Sequence, residues 1–483
     1  MLKNLRSSWF AYPLFILIML ILSSCLNNEQ NLNRILGKDG EAITILERIK
    51  QRGKIIGLVD YNSTNYFIYR GQPMGYQFEM LKAFAEHLDV KLEIVTNNDL
   101  DESFKSLQKG DVDIIAVGLT VTNDRSNLVD FTDPLAQTHQ VLVQRKPENW
   151  RKMETMDEIE AHLIRNPIEL AGKTIVIQKM SSFKDRLINL SNEIGDSIHI
   201  VEDDREVEQL ITAVADGEID YTISDEYIAL VNQRFNVDVD VSTAVSFPQN
   251  IAWGIRVGED DFKQELNEWL AEFKDSFTAR ILYDKYFNNP RTIYYARSEY
   301  HTEGGGKISK YDELIKEISS KYDMDWKFLS SIIYQESGFK PNAESWRGAY
   351  GLMQLMPATA EEYGIDSLSS PAEQIEAGVK FLRWLDEQLN DVITDYDERK
   401  KFVLAAYNVG LGHVWDARRL AEKYDKDPNV WTNNVDTFLL QKSDPQFYRD
   451  SVVKYGYCRG SEPYNFVIEI LDRYEHYNNL IKN

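Results

Sequence analysis

Hydrophobic positions follow two different rhythms along this chain. From about Leu46 to Tyr286, short β-branched runs alternate with helical patterns, as expected for an α/β region. Strands are predicted over Lys54–Val59, Val90–Val95 and Val112–Val117, and helices over Phe78–His87 and Phe104–Lys109. The run Leu107-Gln-Lys-Gly110-Asp-Val-Asp113-Ile-Ile is echoed by Val214-Ala-Asp-Gly217-Glu-Ile-Asp220-Tyr-Thr. In each, a helix should close on a left-handed glycine and pass directly into a strand. Two similar lobes in one chain imply a clamshell with a ligand cleft between them. Asp260–Tyr286 reads as one or two closing helices, stopped by Asn288-Asn-Pro290, and a linker follows over Arg291–Lys307 with Gly304-Gly-Gly306.

Beyond the triple glycine the rhythm is helical only. Helices are predicted over Tyr311–Ser320, Asp325–Gln335, Pro371–Leu389, Glu398–Tyr407 and Asn465–Tyr477. In the second of these, Trp326, Leu329, Ile332 and Ile333 form an apolar stripe whose next member is Glu336, and Ser337-Gly338 ends the helix. A carboxyl on an apolar face is desolvated, which favours its neutral form and raises its pKa. Such a group can act as a general acid near neutral pH, as protonation of a glycosidic oxygen requires.

Composition narrows the picture. With 483 residues the chain holds two or three domains, and 43% hydrophobic with 12% aromatic content suits packed cores. A formal net charge of −23 argues against a nucleic-acid partner. The seven histidines show no metal-ligand spacing and no phosphate-binding glycine loop occurs, so neither a metal nor another cofactor is expected.

There are two cysteines, Cys25 and Cys458. Cys25 follows Lys3 and Arg6, an apolar run from Trp9 to Leu22 too short for a comfortable membrane span, and Leu22-Ser23-Ser24. This arrangement resembles a bacterial lipoprotein signal, which implies lipidation of Cys25; a plain signal peptide or uncleaved anchor is the alternative. Leu26 after the cysteine favours the outer membrane by the rule for enteric bacteria. The expected organisation is a signal peptide over 1–25, a polar tether over 26–45, the α/β region over 46–290, a linker over 291–307 and the helical domain over 308–483.

The helical domain carries Glu336-Ser337, then Gly351-Leu352-Met353-Gln354, then Ala406-Tyr407-Asn408-Val409-Gly410, in order. This series resembles the soluble-lytic-transglycosylase family, whose fold is goose-type-lysozyme-like. The resemblance implies that Glu336 is the catalytic acid and that Ser337, Ser345, Met353, Gln354, Tyr407 and Asn408 line a glycan cleft. It places the Tyr407 hydroxyl where it could orient or polarise Glu336. It also implies cleavage of the β-1,4 bond leaving N-acetylmuramic acid by its own C6 hydroxyl, giving a 1,6-anhydro ring without water. A hydrolase would need a second carboxylate. Asp366, Asp386 and Glu344 are available, but none lies in a matching motif. Arg459-Gly-Ser-Glu462-Pro463 resembles a pattern of membrane-bound relatives, and Glu462 is read as structural. His413 is read the same way.

Over Leu46–Asn289, Gly75-Tyr-Gln-Phe-Glu-Met-Leu, Gly118-Leu-Thr-Val-Thr-Asn-Asp-Arg125 and Val129-Asp-Phe-Thr-Asp-Pro134 resemble family 3 bacterial extracellular solute-binding proteins. The likeness implies that Arg125 grips an α-carboxylate beside Thr120, and that Asp225 receives an α-ammonium. The guanidinium fork and the opposed carboxylate suit a zwitterion. Gln178-Lys-Met180-Ser181-Ser182 departs from the family's Gly-Thr or Gly-Ser, though Ser181 or Ser182 can still cap a helix and donate to a carboxylate. An amino acid and a wall-derived peptide both remain open as ligands.

The fold class expected is therefore multidomain: an α/β periplasmic-binding-protein-like clamshell ahead of an all-α lysozyme-like domain. The expected partners are glycan strands, an amino acid or muropeptide, and a membrane reached through a lipid anchor. The other functions considered are a lysozyme-type hydrolase and an uptake protein with a wall-docking helical domain.

Overall fold

The computed structural model describes residues 43–289, 298–302 and 306–481. The signal sequence with Cys25 and nearly all of the tether lie outside these residues, as does most of the linker with Gly304 and Gly305. Among the described residues no helix is long and apolar enough to cross a membrane.

The strands are β1 (Lys54–Val59), β2 (Phe67–Tyr69), β3 (Gln72–Met74), β4 (Lys91–Thr96), β5 (Ile114–Thr120), β6 (Asp130–Phe131) and β7 (Ala136–Thr138). They continue as β8 (Gln140–Arg145), β9 (Thr174–Gln178), β10 (His199–Asp203), β11 (Tyr221–Asp225), β12 (Val239–Ala244) and β13 (Gln249–Ile255). The chain separates into two compact units. One holds Gln77–Asp284 with the described residues up to Asp60; the other holds Tyr61–Tyr76 with the described residues from Lys285 onward.

The first unit has two lobes. One sheet runs β4-β1-β5-β13-β6, with β7 also paired to β13, and the other runs β10-β9-β11-β8-β12. In each, three strands are parallel (β4, β1, β5 and β10, β9, β11) and the return strand, β13 or β8, is antiparallel. The chain therefore crosses between lobes twice, at β7–β8 and at β12–β13. Separate cores fill the lobes: Leu58, Leu107, Ile115 and Val129 in one, Leu142, Ile175, Leu187 and Ile223 in the other. Both echoed helix ends behave as expected, with Gly110 at φ 80 and Gly217 at φ 79. The left-handed conformation lets each helix stop and hand the chain to a buried strand within a few residues.

The second unit is built on helices from Asp312–Lys321 through Ser461–Leu480, around a core that includes Leu329, Ile332, Ile333, Leu352, Phe402 and Ile470. Full burial of each such side chain contributes about 1.5–3 kcal/mol. The acid helix is Trp326–Ser337, capped at its start by Asp325, whose carboxylate accepts from Lys327 and Phe328 N–H. It runs two residues past the predicted end, so Glu336 sits in its last turn, and Gly338 at φ 58 terminates it. The second unit also contains a piece of β structure that the helical rhythm does not announce. Residues 61–76, read from sequence as part of the α/β region, form the β2–β3 hairpin of this unit.

Candidate functional site

In the second unit, Glu336 is held at the edge of the helical core. Burial pushes its carboxyl up to about 8, with no charged neighbour contributing. Burial therefore favours the neutral form of this carboxyl near pH 7. Tyr407 is the phenol whose ionisation feels Glu336: burial first, and then the Glu336 charge, raise its pKa.

The side chains around Glu336 divide into those that build the site and those left open to a ligand. Ser337 is buried; its hydroxyl donates to Leu352 O at 2.9 Å and also lies 3.1 Å from Ile333 O, joining the acid helix to the Gly351–Gln354 loop. Met353 is 1% exposed, and its side chain packs against Gly378, where a Cβ would come within 2.6 Å of it. Expected as glycan contacts, both are instead frame residues: Ser337 has spent its donor and Met353 has no surface to offer. The Tyr407 hydroxyl donates to Met353 O at 2.6 Å, which ties its proton to the same loop and leaves its oxygen free to accept.

Gln354 adopts φ 48, and its amide donates to Ala343 O and Gly351 O, both at 2.9 Å. The Ser345 hydroxyl accepts from Ala349 N–H at 3.0 Å, closing a tight turn whose tip carries Trp346, 87% exposed. Arg347 lies over the Trp346 ring at 4.6 Å. Asn408 is exposed at the end of Tyr396–Val409. Sequence reasoning passed over Trp346, because an isolated exposed aromatic on a loop carries no periodic signal.

A cleft of about 670 Å³ opens beside this loop, walled by Glu344, Tyr350, Leu355, Pro357 and Asp366. Of the carboxylates weighed as a second catalytic group, Asp386 is paired with Arg399 at 2.6 Å. Asp366 accepts from Leu368 N–H at 2.8 Å and closes a local turn. Glu462, read from the sequence as structural and not among these, pairs with Arg459 at 3.1 Å in an exposed position. Among the described residues no cluster of side chains could hold a metal ion.

In the first unit, the residues expected to bind a zwitterion converge where the lobes meet. Arg125 is half-buried, donates to Thr120 O at 3.2 Å, and feels the charges of Asp225 and Asp185. Thr120 comes from one lobe and Ser182 from the other, with their hydroxyls 3.5 Å apart. Asp225 lies at the end of β11, directly across from Gln140 on β8. Its Oδ1 is buried without a hydrogen-bond partner among the described residues. Burial raises its pKa to about 7, with Arg125 pulling the other way.

Neither serine caps the following helix through its side chain. Ser181 donates to Gln178 O at 2.6 Å, and Ser182 accepts from Gln140 Nε2 at 3.1 Å. Met180 takes φ 62, a left-handed conformation that glycine adopts without strain. Gln140 was not anticipated; a polar residue at the head of an apolar strand reads as an edge position until the fold buries it.

This geometry predicts a pH-dependent first site. Asp225 carries its proton below about pH 7 in the empty cleft, and an ammonium ligand needs it ionised. Affinity for a zwitterion should fall by about tenfold per pH unit below that point, with proton release on binding. Calorimetry in buffers of different ionisation enthalpy measures both, and Asp225→Asn should weaken binding and abolish the proton release.

Residues 313–430 match the family described as Transglycosylase SLT domain. Residues 54–289 match Bacterial extracellular solute-binding proteins, family 3. Among solved structures, truncated ArgBP from T. maritima in its arginine-bound form is similar at 25% identity, covering 47% of this chain and 100% of that one, with a TM-score of 0.40. A membrane-bound lytic murein transglycosylase F from Aliivibrio fischeri is 32% identical over 90% of this chain and 85% of its own length. One from Desulfosudis oleivorans is 34% identical over 89% of this chain and 91% of its own. An α/β solute-binding region and a helical transglycosylase region thus stand in the same order over nearly the whole length of these relatives, and the chain belongs to the membrane-bound lytic murein transglycosylase F family.

Proposed function

We propose that this protein cleaves the β-1,4 bond between N-acetylmuramic acid and N-acetylglucosamine in peptidoglycan without water. The observation that carries this is Glu336, a carboxyl held neutral near pH 7 by burial alone and without a second carboxylate perturbing it. Glu336 donates its proton to the glycosidic oxygen as the C1–O bond breaks. The resulting carboxylate, still poorly solvated, is a strong enough base to take the proton from the C6 hydroxyl. The C6 oxygen closes on C1, giving the 1,6-anhydro ring and returning Glu336 to its acid form. Gln354, Ser345 and Asn408 are the side chains that contact the glycan.

The lipid anchor belongs to this reading. Cys25 carries the lipid, the protein is held at the periplasmic face of the outer membrane, and the tether lets it reach the wall. The first unit acts as a sensor: an amino acid or muropeptide bound by Thr120, Arg125, Ser181, Ser182 and Asp225 shifts the catalytic unit between less and more active arrangements.

Mass spectrometry of purified peptidoglycan digested by the chain without its signal sequence tests the chemistry. Muropeptides one water lighter than hydrolysis products are expected, and full-mass reducing ends would refute the intramolecular step. Repeating the digest with free amino acids or muramyl peptides tests the sensor. A ligand that saturates the first unit and leaves turnover unchanged would refute it.

A further inference from the structure

We infer that the Tyr61–Tyr76 excursion, although it interrupts the solute-binding sequence, is a positioning element of the catalytic unit that braces the end of the acid helix through its Arg70-Gly71 turn. The inference rests on Glu336 being the catalytic acid.

The hairpin is a well-formed structure. Phe67 pairs with Met74 and Tyr69 with Gln72, leaving a two-residue loop of Arg70 at φ 49 and Gly71 at φ 81. Two successive left-handed residues make the tight turn whose twist matches paired strands, and the glycine adopts that conformation freely. On one side the hairpin is held by the segment before the helical domain: Arg70 N–H donates to Tyr300 O at 3.0 Å, and Phe67 stacks on His301 at 4.4 Å. At its base, Gly75 N–H donates to Tyr286 Oη at 2.7 Å.

Its tip reaches the acid helix. A Cβ on Gly71 would lie 2.8 Å from the Tyr334 ring, 2.9 Å from the Phe339 ring and 2.9 Å from Tyr477 Oη. Tyr334 and Phe339 flank Glu336, two residues before it and three after. They pack edge to face at 6.0 Å, around the reversal in which Gly338 and Phe339 are both left-handed, at φ 58 and φ 61. Tyr477, fully buried on the closing helix Ser461–Leu480, donates its hydroxyl to Gly71 O at 2.7 Å. Ile68 from the hairpin joins Ile308, Tyr477 and Ile481 in a small core against which Trp326 and Phe339, one at each end of the acid-helix segment, are packed.

The closing helix grips the same turn. Arg473 lies over the Tyr334 ring at 4.3 Å and donates to Gln335 Oε1 at 2.9 Å. The last turn of the acid helix is thus contacted by both the closing helix and the hairpin. A carboxyl stays dry, and aimed, only while that turn cannot shift.

Gly71→Ala in the full chain without its signal sequence tests this. The added methyl must displace Tyr334, Phe339 or Tyr477. The expected result is a kcat lower by about ten- to a hundredfold with little change in KM. The high-pH limb of the rate profile should also move to lower pH, because a loosened turn admits water to Glu336. Tyr477→Phe keeps the ring and removes only the bond to Gly71 O, and should shift both readouts the same way by less. Val435→Ala, a core truncation elsewhere in the catalytic unit, is the control for lost stability alone. If Gly71→Ala and Tyr477→Phe lower Tm like the control and leave kcat and the pH limb in place, the hairpin is merely structural and the inference fails. Should Gly71→Ala not fold, Tyr477→Phe decides by the same criteria. Wild-type activity in Glu336→Gln would instead refute the catalytic reading beneath it.

Discussion

Replacing Glu336 by Gln should abolish anhydro-product formation, lowering kcat by about 10²–10⁴-fold, while making the protein more stable. The carboxyl sits near 8 in the folded state against 4.5 when free. Its pKa is raised on folding, so the folded state holds a proton that the unfolded state has released. The sign follows directly: wild-type stability declines as pH rises from about 4.5 to about 8, because ionising Glu336 where it sits is costly. An amide has no such cost, and the gain at pH 7 should be up to about 3 kcal/mol, visible as a higher Tm of the catalytic unit. At pH 4 the two proteins should have nearly equal stability. The same titration sets the activity profile: the wild-type rate should fall by about tenfold per unit above about pH 8 as the acid form is lost. A Glu336→Gln protein that is inactive but no more stable at pH 7 than the wild type would show that Glu336 is better solvated than its surroundings imply.

The second large effect is expected far from the reacting bond. Asp416 and Lys442 are both fully buried and paired at 2.6 Å. Asp416 also accepts from Arg419 and from the N–H groups of Lys454 and Tyr455, both at 2.8 Å, while Lys442 reaches His413 Nδ1 at 2.9 Å. Burial opposes the Asp416 charge, but the Lys442 bond and the two backbone donors outweigh it and lower its pKa. Asp416→Ala strands a buried ammonium and two N–H groups. The expected cost is about 3–5 kcal/mol. In a unit of this size that corresponds to a Tm lower by roughly 6–20 °C. Calorimetric scanning measures it, and the paired change Asp416→Leu with Lys442→Met should recover part of the loss, since no fully buried charge is then left unpartnered and the part-exposed Arg419 can turn to water. A small loss in Asp416→Ala would mean that water reaches Lys442.

The effects differ in kind because the two sites solve opposite problems. Around Asp416 every charge is met, so removal of one partner is costly. Around Glu336 none is met, so the charge itself is costly and the proton is retained. The proposed chemistry draws on the second arrangement, and stability on the first.

Local signals in the sequence determined much of this protein. The period-2 and period-3.6 runs separate an α/β region from a helical one, and Gly110, Gly217 and Gly338 mark three helix ends correctly. Glu336 was legible because a carboxyl on an apolar stripe has one physical consequence wherever the helix packs. Arg125 and Asp225 could be singled out by charge and motif, since each chemistry belongs to the residue type.

Contacts between distant segments are what only the tertiary structure decided. Ser337, Met353 and Tyr407 carry the same motif letters whether they face a glycan or a carbonyl. Their hydrogen bonds to Leu352 O and Met353 O turn two of them inward, and Met353 is packed away. Gln140 becomes a neighbour of Asp225 only through the antiparallel pairing of β8 and β11. The hairpin from Tyr61 to Tyr76 is the clearest case. Its strands are three residues each, too short to set a periodicity, and its place in the catalytic unit is fixed by Tyr477 and Phe339, hundreds of residues away. Hydrophobic rhythm specifies which face of an element is buried, but the partner that buries it is chosen by the packing of the whole chain.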